Sequence, residues 1–297
     1  MKNPLFTGCA TALVTPFRSG SIDYAALHRQ LSRQLRGGVS AVVVCGTTGE
    51  APTITKAERS ELIRVYTESL PKSVRLIVGI GSNCTEDALL AAREAEALGA
   101  DGVLLTAPYY NKTNRAGLLT HFLHVADGCG LPLIIYNVPG RTSIGCSAED
   151  YARLAEHPRI NGVKEASGSL SLVSQTRRLC GDALNVWSGN DDQTLPILSL
   201  GGKGVISVAS NVIPTEMQML CLACFEENFA AARMIHDLYS SLFDALFLET
   251  NPIPVKKALQ LMGLDSGELR LPLCPLSDKA ADLLRSCLAE LRLIPVP

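Results

Sequence analysis

The ten residues Ser40 to Gly49, SAVVVCGTTG, hold four consecutive apolar side chains, Ala41 to Val44, with no polar alternation, and then break into glycine and threonine. A strand that faces water on one side alternates polar and apolar residues, whereas a parallel strand covered on both faces does not. The stretch therefore reads as a buried parallel strand followed by a polar turn. Seven more runs share this form: GCATALVTPF (8–17), RLIVGIGS (75–82), GVLLTAPYY (102–110), LPLIIYNVPG (131–140), INGVKEA (160–166), LNVWSGN (184–190) and GKGVISVAS (202–210). Their starts lie roughly 20 to 35 residues apart, the length of a βα unit.

The intervening segments carry helix signals. Thr55 with Glu58 forms a capping-box pattern, and Leu62, Val65, Tyr66, Ser69 and Leu70 follow at helical spacing. Thr85 to Leu98 is rich in Ala and Glu and is closed by Gly99, and Ser147 with Asp150 opens a further helix. Eight strands alternating with helices predict an α/β fold, a (β/α)8 TIM barrel. After Ser210 the strand signal ends. Residues 215–247 read as helical without a strong breaker, and a last helix is expected from Ser277 to Leu293, after the Pro-rich LRLPLCPLS. The organisation expected is a catalytic barrel over 1–225 and a small C-terminal helical extension over 226–297.

The chain of 297 residues is 47% hydrophobic with a net charge of −2. This gives no electrostatic footprint for nucleic acid or an anionic membrane. No apolar run approaches the roughly 18 residues of a membrane span, and the first residues lack the basic flank and apolar core of a secretory signal. A cytoplasmic protein is expected. Most of the ten cysteines sit in apolar runs and read as buried free thiols. The one CxxC pair, Cys221 and Cys224, lacks a second pair and reads as part of an apolar helix rather than a metal site.

In such a barrel the active site lies at the C-terminal ends of the strands. The unusual residues cluster there: Gly46-Thr47-Thr48-Gly49-Glu50, Tyr109-Tyr110-Asn111, Tyr136 to Arg141, Lys164, and Ser188-Gly189-Asn190. Each has a bland explanation. Lys164 reads as a salt-bridged residue, the tyrosines as rim packing, Arg141 as a surface cation. Taken together they place an amine, two phenols, two hydroxyls and a guanidinium on one face of one barrel. A lysine amine in apolar surroundings has its charged form disfavoured. A neutral amine attacks a ketone to form a Schiff base, and the iminium acts as an electron sink for the adjacent carbon. Tyr136 and Tyr110, joined through the Thr47 hydroxyl, offer a proton relay. Backbone N–H groups of Thr47 and Thr48, in a tight turn opening a helix, suit one carboxylate, and Arg141 a second.

Seven motifs then carry a resemblance that runs nearly end to end: GTTGE, PYYN, YNVPGRT, GVKEASG, SGN at 188–190, GGKGVIS and NPIPVKKAL at 251–259. Together they resemble the pyruvate-dependent class I lyases, and among them the dihydrodipicolinate synthases (4-hydroxy-tetrahydrodipicolinate synthases). The resemblance implies condensation of pyruvate with L-aspartate 4-semialdehyde, in lysine and diaminopimelate biosynthesis. It implies Lys164 as the Schiff-base lysine. Tyr136, Thr47 and Tyr110 would form the relay, with Tyr110 entering from the neighbouring subunit. Thr47 and Thr48 would bind pyruvate and Arg141 the aldehyde's carboxylate, while Gly189 and Ile206 line the pocket through their backbones. It implies no metal and no cofactor beyond the covalent pyruvate adduct on Lys164, and a homotetramer built as a dimer of tight dimers. The alternative is a related aldolase acting on a 2-keto-3-deoxy sugar acid or N-acetylneuraminate. Sialic-acid lyases usually carry Ser at the position of Thr48 and lack the arginine at 141, so these two residues favour the synthase. A catalytically silent barrel is a further reading, against which Lys164 and the complete relay speak.

The resemblance also points to an effector site for lysine, at Ala51, Lys56, Arg59, Asn83, Asp87 and Tyr109. Asn83 and Tyr109 fit the family pattern, and Asp87 keeps a shortened carboxylate. Lys56 replaces the usual histidine, and Arg59 the usual histidine or glutamate, with cations that repel a cationic effector, unless both point to solvent from the first turn of their helix. Weak or absent inhibition by lysine is expected in either case.

Overall fold

The computed structural model describes residues 1–295. Its eight expected strands are β1 (Gly8–Ala12), β2 (Ala41–Val44), β3 (Arg75–Gly79), β4 (Gly102–Thr106), β5 (Leu133–Asn137), β6 (Ile160–Glu165), β7 (Asn185–Ser188) and β8 (Gly204–Ser207). All pair in parallel with their sequence neighbours, and β8 pairs with β1 to close the barrel. The helices α1 (Tyr24–Arg36), α2 (Lys56–Ser69), α3 (Thr85–Ala97), α4 (Arg115–Gly128), α5 (Ala148–Leu154), α6 (Leu170–Cys180), α7 (Thr194–Ser199) and α8 (Pro214–Phe225) alternate with them. The TIM barrel is therefore the fold of this chain.

Burial on both faces explains the unbroken apolar runs. Ala41 and Val43 face the barrel interior with Ala10, Ile77, Leu104, Ile134, Trp187 and Ile206. Val42 and Val44 face the helix layer with Cys9, Leu76, Val103 and Val163. Phe6 stacks on Trp187 at 5.0 Å and 19° and plugs the end of the barrel from which the strands start. Gly162 makes room for that plug, since a Cβ there would lie 2.5 Å from the Trp187 ring and 2.3 Å from Asn185 O.

One irregularity sets the site. Leu133 pairs with Ile160 but Ile134 pairs with Gly162, so Asn161 is an extra residue in β6. Such a bulge re-phases a strand. Ile160 belongs to the outer layer, yet two residues beyond Gly162, Lys164 faces inward beside Tyr136.

The capping boxes at Thr55–Glu58 and Ser147–Asp150 form as the sequence suggests. The continuous helical reading of 215–247 is corrected. The helix stops at Phe225, Glu227 takes φ +58, and Asn228 caps a new helix by accepting a hydrogen bond from Ala231 N at 3.1 Å. The extension comprises α9 (Phe229–Ala245), α10 (Ile253–Leu261) and α11 (Asp278–Glu290), the last ending three residues before the expected Leu293. All ten cysteines are free, and Cys221 and Cys224 are both buried on α8. Among the described residues no helix is long and apolar enough to cross a membrane.

Candidate active site

The turn after β2 is held from beneath. Cys45 and Glu50 both adopt positive φ, +52 and +56. Glu50 N donates to Thr47 O at 3.1 Å, and Thr15 Oγ1 donates to Gly49 O at 2.8 Å. The turn does not open a long helix directly, as the sequence suggested. It leads into a short 3₁₀ turn, Ala51–Thr53, and α2 starts only at Lys56.

Glu50 and Lys256 form an ion pair at 2.7 Å in which both side chains are wholly buried. Lys256 Nζ also donates to Thr15 O at 2.9 Å and lies 4.3 Å from the centre of the Phe17 ring. The other Glu50 oxygen accepts from Arg270 N at 3.1 Å. This buried lysine is spent on structure.

Lys164 differs. It is 5% exposed, and its Nζ lies 4.2 Å from the centre of the Tyr136 ring. Among the described residues it joins no ion pair, whereas buried amines are ordinarily paired. Its neighbour Glu165 points the other way, accepting from Asn137 Nδ2 and from the Tyr151 hydroxyl at 2.8 Å. Gly189 leaves Lys164 its space, since a Cβ there would approach Lys164 Cγ to 3.1 Å and Ala166 Cβ to 2.6 Å. Ile206 is fully buried in the inner layer that includes Tyr136.

A cavity of about 400 Å³ opens at this face, lined by Thr47, Tyr136 and Arg141 together with Ala51, Arg59 and Tyr109. Thr48, Lys164, Gly189 and Ile206 do not line it. The Lys164 amine lies over the ring of Tyr136, which does line it, and Thr48 is buried with its Oγ1 accepting from Asn251 Nδ2 at 3.0 Å. Arg141 sits on the helical turn Pro139–Thr142, and its Nη2 donates to Asn251 O at 3.0 Å. Tyr110 stands apart, 90% exposed with φ +69, and the single chain does not bring it to Thr47 or Tyr136. Cys45 also lines the cavity, but burial pushes its thiol up to about 11, which leaves it protonated and poorly nucleophilic at neutral pH.

The six positions of the expected effector site separate into two groups. Ala51, Arg59 and Tyr109 line the cavity. Lys56 and Asp87 are exposed, and Asn83 is half-buried with its carbonyl accepting from Asn111 Nδ2 at 2.9 Å. The reading in which both cations point to solvent holds for Lys56 and is corrected for Arg59. The Arg59 guanidinium turns inward, its Nε 3.5 Å from Glu94 of α3, with Nε and Nη2 buried and without a hydrogen-bond partner among the described residues.

Two residues escaped the sequence reading. Asn251 lies outside the barrel strands yet touches both Thr48 and Arg141. Its motif was visible, but nothing in it signals a contact across roughly 200 residues of chain. Asp191 is buried beyond Gly189, where burial pushes its carboxyl up against hydrogen bonds from Ser207 and the amides of Ala209 and Val208.

A buried lysine at a strand end, without an ion pair among the described residues and beside a tyrosine that lines a cavity, is an arrangement compatible with Schiff-base chemistry. Comparison with known proteins gives the family. The model of the dihydrodipicolinate synthetase family matches residues 5–291. The chain belongs to that family. Members align along almost their whole length. A 4-hydroxy-tetrahydrodipicolinate synthase of Thermotoga neapolitana is 47% identical over 290 residues, covering 96% of this chain and 99% of that one. The crystal structure of the dihydrodipicolinate synthase of Thermotoga maritima superposes with a TM-score of 0.96 at 44% identity, covering 98% of this chain and all of the other. A further family structure, described as the first monomeric dihydrodipicolinate synthase variant, superposes with a TM-score of 0.96 at 44% identity, with 98% of each chain covered.

Proposed function

We propose that the protein is a 4-hydroxy-tetrahydrodipicolinate synthase, condensing pyruvate with L-aspartate 4-semialdehyde through a Schiff base on Lys164. The observation that carries this reading is the buried Lys164, without an ion pair among the described residues, against Tyr136, which lines a cavity with Thr47 and Arg141. Family membership at 47% identity to a synthase favours it over a sugar-acid or neuraminate aldolase.

The amine of Lys164 adds to the ketone carbon of pyruvate, and loss of water gives the iminium. The iminium draws electron density from the neighbouring methyl group, which loses a proton to become an enamine. That carbon attacks the aldehyde, and the aldehyde oxygen takes up the proton. The amino group of the joined chain then attacks the iminium carbon, closing the ring and releasing Lys164. Tyr136 is the proton carrier beside the lysine, and the Thr47 hydroxyl joins it to Tyr110. Thr47 and Thr48 hold the pyruvate carboxylate, and Arg141 holds that of the aldehyde. No metal or organic cofactor enters, because the iminium is itself the electron sink.

The relay needs a second chain. Tyr110 is exposed at a loop tip in a left-handed conformation. An exposed tyrosine held so is suited to enter a partner's cavity, which supports a tight dimer as the working unit, two such dimers forming the proposed tetramer. That a monomeric relative is described as the first of its kind supports this. The enzyme works in the cytoplasm on small-molecule substrates. An assay supplying pyruvate with aspartate semialdehyde, and separately 2-keto-3-deoxy acids or N-acetylneuraminate, tests the assignment. Turnover only with the sugar acids overturns it.

A further inference from the structure

The motif NPIPVKKAL at 251–259 lies in the C-terminal extension, outside every barrel strand. The segment leading into its helix, α10, and the helix itself nevertheless reach the mouth of the barrel at three points. Thr250, Asn251 and Pro252 line the cavity. Lys256 pairs with Glu50 at one end of the turn that carries Thr47 and Thr48. Asn251 holds Thr48 through its side chain and Arg141 through its backbone carbonyl, both at 3.0 Å.

The direction of the first bond matters. A threonine hydroxyl has one proton and two lone pairs. Here the amide nitrogen of Asn251 donates to Thr48 Oγ1, so a lone pair is occupied and the proton remains available. A hydroxyl fixed this way keeps its proton for an acceptor, and a carboxylate is the strongest acceptor that the proposed substrates carry. Were the proton given to Asn251 instead, lone pairs would face the anion and repel it. Asn251 is 5% exposed, and its Oδ1 is buried without a partner among the described residues, a cost that natural structures accept rarely and often at functional sites. Packing alone gives no reason for it.

We propose that Asn251 is a positioning residue of the synthase reaction, orienting the Thr48 hydroxyl as a donor to the pyruvate carboxylate while seating Arg141 for the second substrate. The extension is thereby a working part of the active site. This rests on the reading of Thr48 and Arg141 given above.

The test measures borohydride trapping of pyruvate on the full-length protein against pyruvate concentration. Asn251→Ala should raise the half-saturating concentration by about tenfold, the scale of one hydrogen bond to a charged group. Asn251→Asp separates orientation from packing. It is isosteric, so a packing role makes it milder than Asn251→Ala. An orienting role makes it more severe, because a carboxylate takes the Thr48 proton and repels pyruvate. In a Thr48→Val background, Asn251→Ala should add less than about twofold, since residues acting through one group do not add. The proposal is overturned if Asn251→Ala leaves pyruvate trapping unchanged while Thr48→Val weakens it. It is also overturned if Asn251→Asp is the milder variant, or if the two losses simply add. Absence of trapping in the unaltered protein, or its persistence in Thr48→Val with unchanged pyruvate dependence, overturns the underlying assignment and the proposal with it. Circular dichroism and a urea melt on each variant identify any that fail to fold. Should Asn251→Asp fail, Asn251→Ala and the double variant decide the matter.

Discussion

Replacing Lys256 by methionine should cost about 3–5 kcal/mol of stability, the usual penalty for removing one partner of a buried ion pair. The local structure argues for the full penalty. Both side chains are wholly buried, so water cannot reach the stranded Glu50 carboxylate without opening the turn. With the amine gone, Arg270 N at 3.1 Å is the remaining donor to that carboxylate. Thr15 O loses its donor as well. Spread over 297 residues at roughly 2.1 cal/mol/K each, the unfolding entropy is about 0.6 kcal/mol/K, so the melting temperature should fall by about 5–8 °C. Equilibrium urea unfolding of the two proteins measures the difference. The double variant Lys256→Met with Glu50→Gln keeps an acceptor for Arg270 N and removes the stranded charge, so it should recover more than half of the loss. A single variant within about 1 kcal/mol of the original, or a double variant no better than the single, refutes the reasoning. Either result would mean that the turn bearing Thr47 and Thr48 is held by something other than this pair.

Three further outcomes concern chemistry and control. Tyr136→Phe, Thr47→Val and Tyr110→Phe should each lower kcat by roughly 10- to 1000-fold, and the double change at Tyr136 and Tyr110 should fall far short of the product, which steady-state kinetics reads directly. Arg141→Ala should raise KM for the aldehyde substrate and leave pyruvate trapping intact; equal loss of trapping would give Arg141 another role. L-lysine should fail to inhibit at concentrations well below millimolar, because the Arg59 guanidinium sets a fixed cation at the cavity that Ala51 and Tyr109, two of the expected effector positions, also line. An initial-rate titration showing half-inhibition in the micromolar range contradicts this.

The barrel was legible because burial on both faces leaves a plain mark, strings such as Ala41 to Val44 that no half-exposed strand would tolerate. The caps at Thr55 and Ser147 were legible because their chemistry is local. The break at Glu226 to Asn228 was not, since Glu227 takes a left-handed conformation that glutamate does not advertise. Lys164 and Lys256 illustrate the limit most clearly. Both lie in distinctive motifs and both are buried. Only the fold shows that one is paired with Glu50 while the other faces a tyrosine. The inward turn of Arg59 depends likewise on Glu94, which arrives from the next helix. The place of Asn251 at the mouth of the barrel depends on long-range packing of the extension, which leaves no periodic signature in the chain.

The central claim is that Lys164 forms the covalent bond to pyruvate. The most direct measurement is intact-mass and peptide analysis after treating the protein with pyruvate and borohydride. The account predicts one pyruvate-derived group per chain, on Lys164, and none in Lys164→Met. Labelling of Lys256 or Lys257, or no labelling at all, would contradict it.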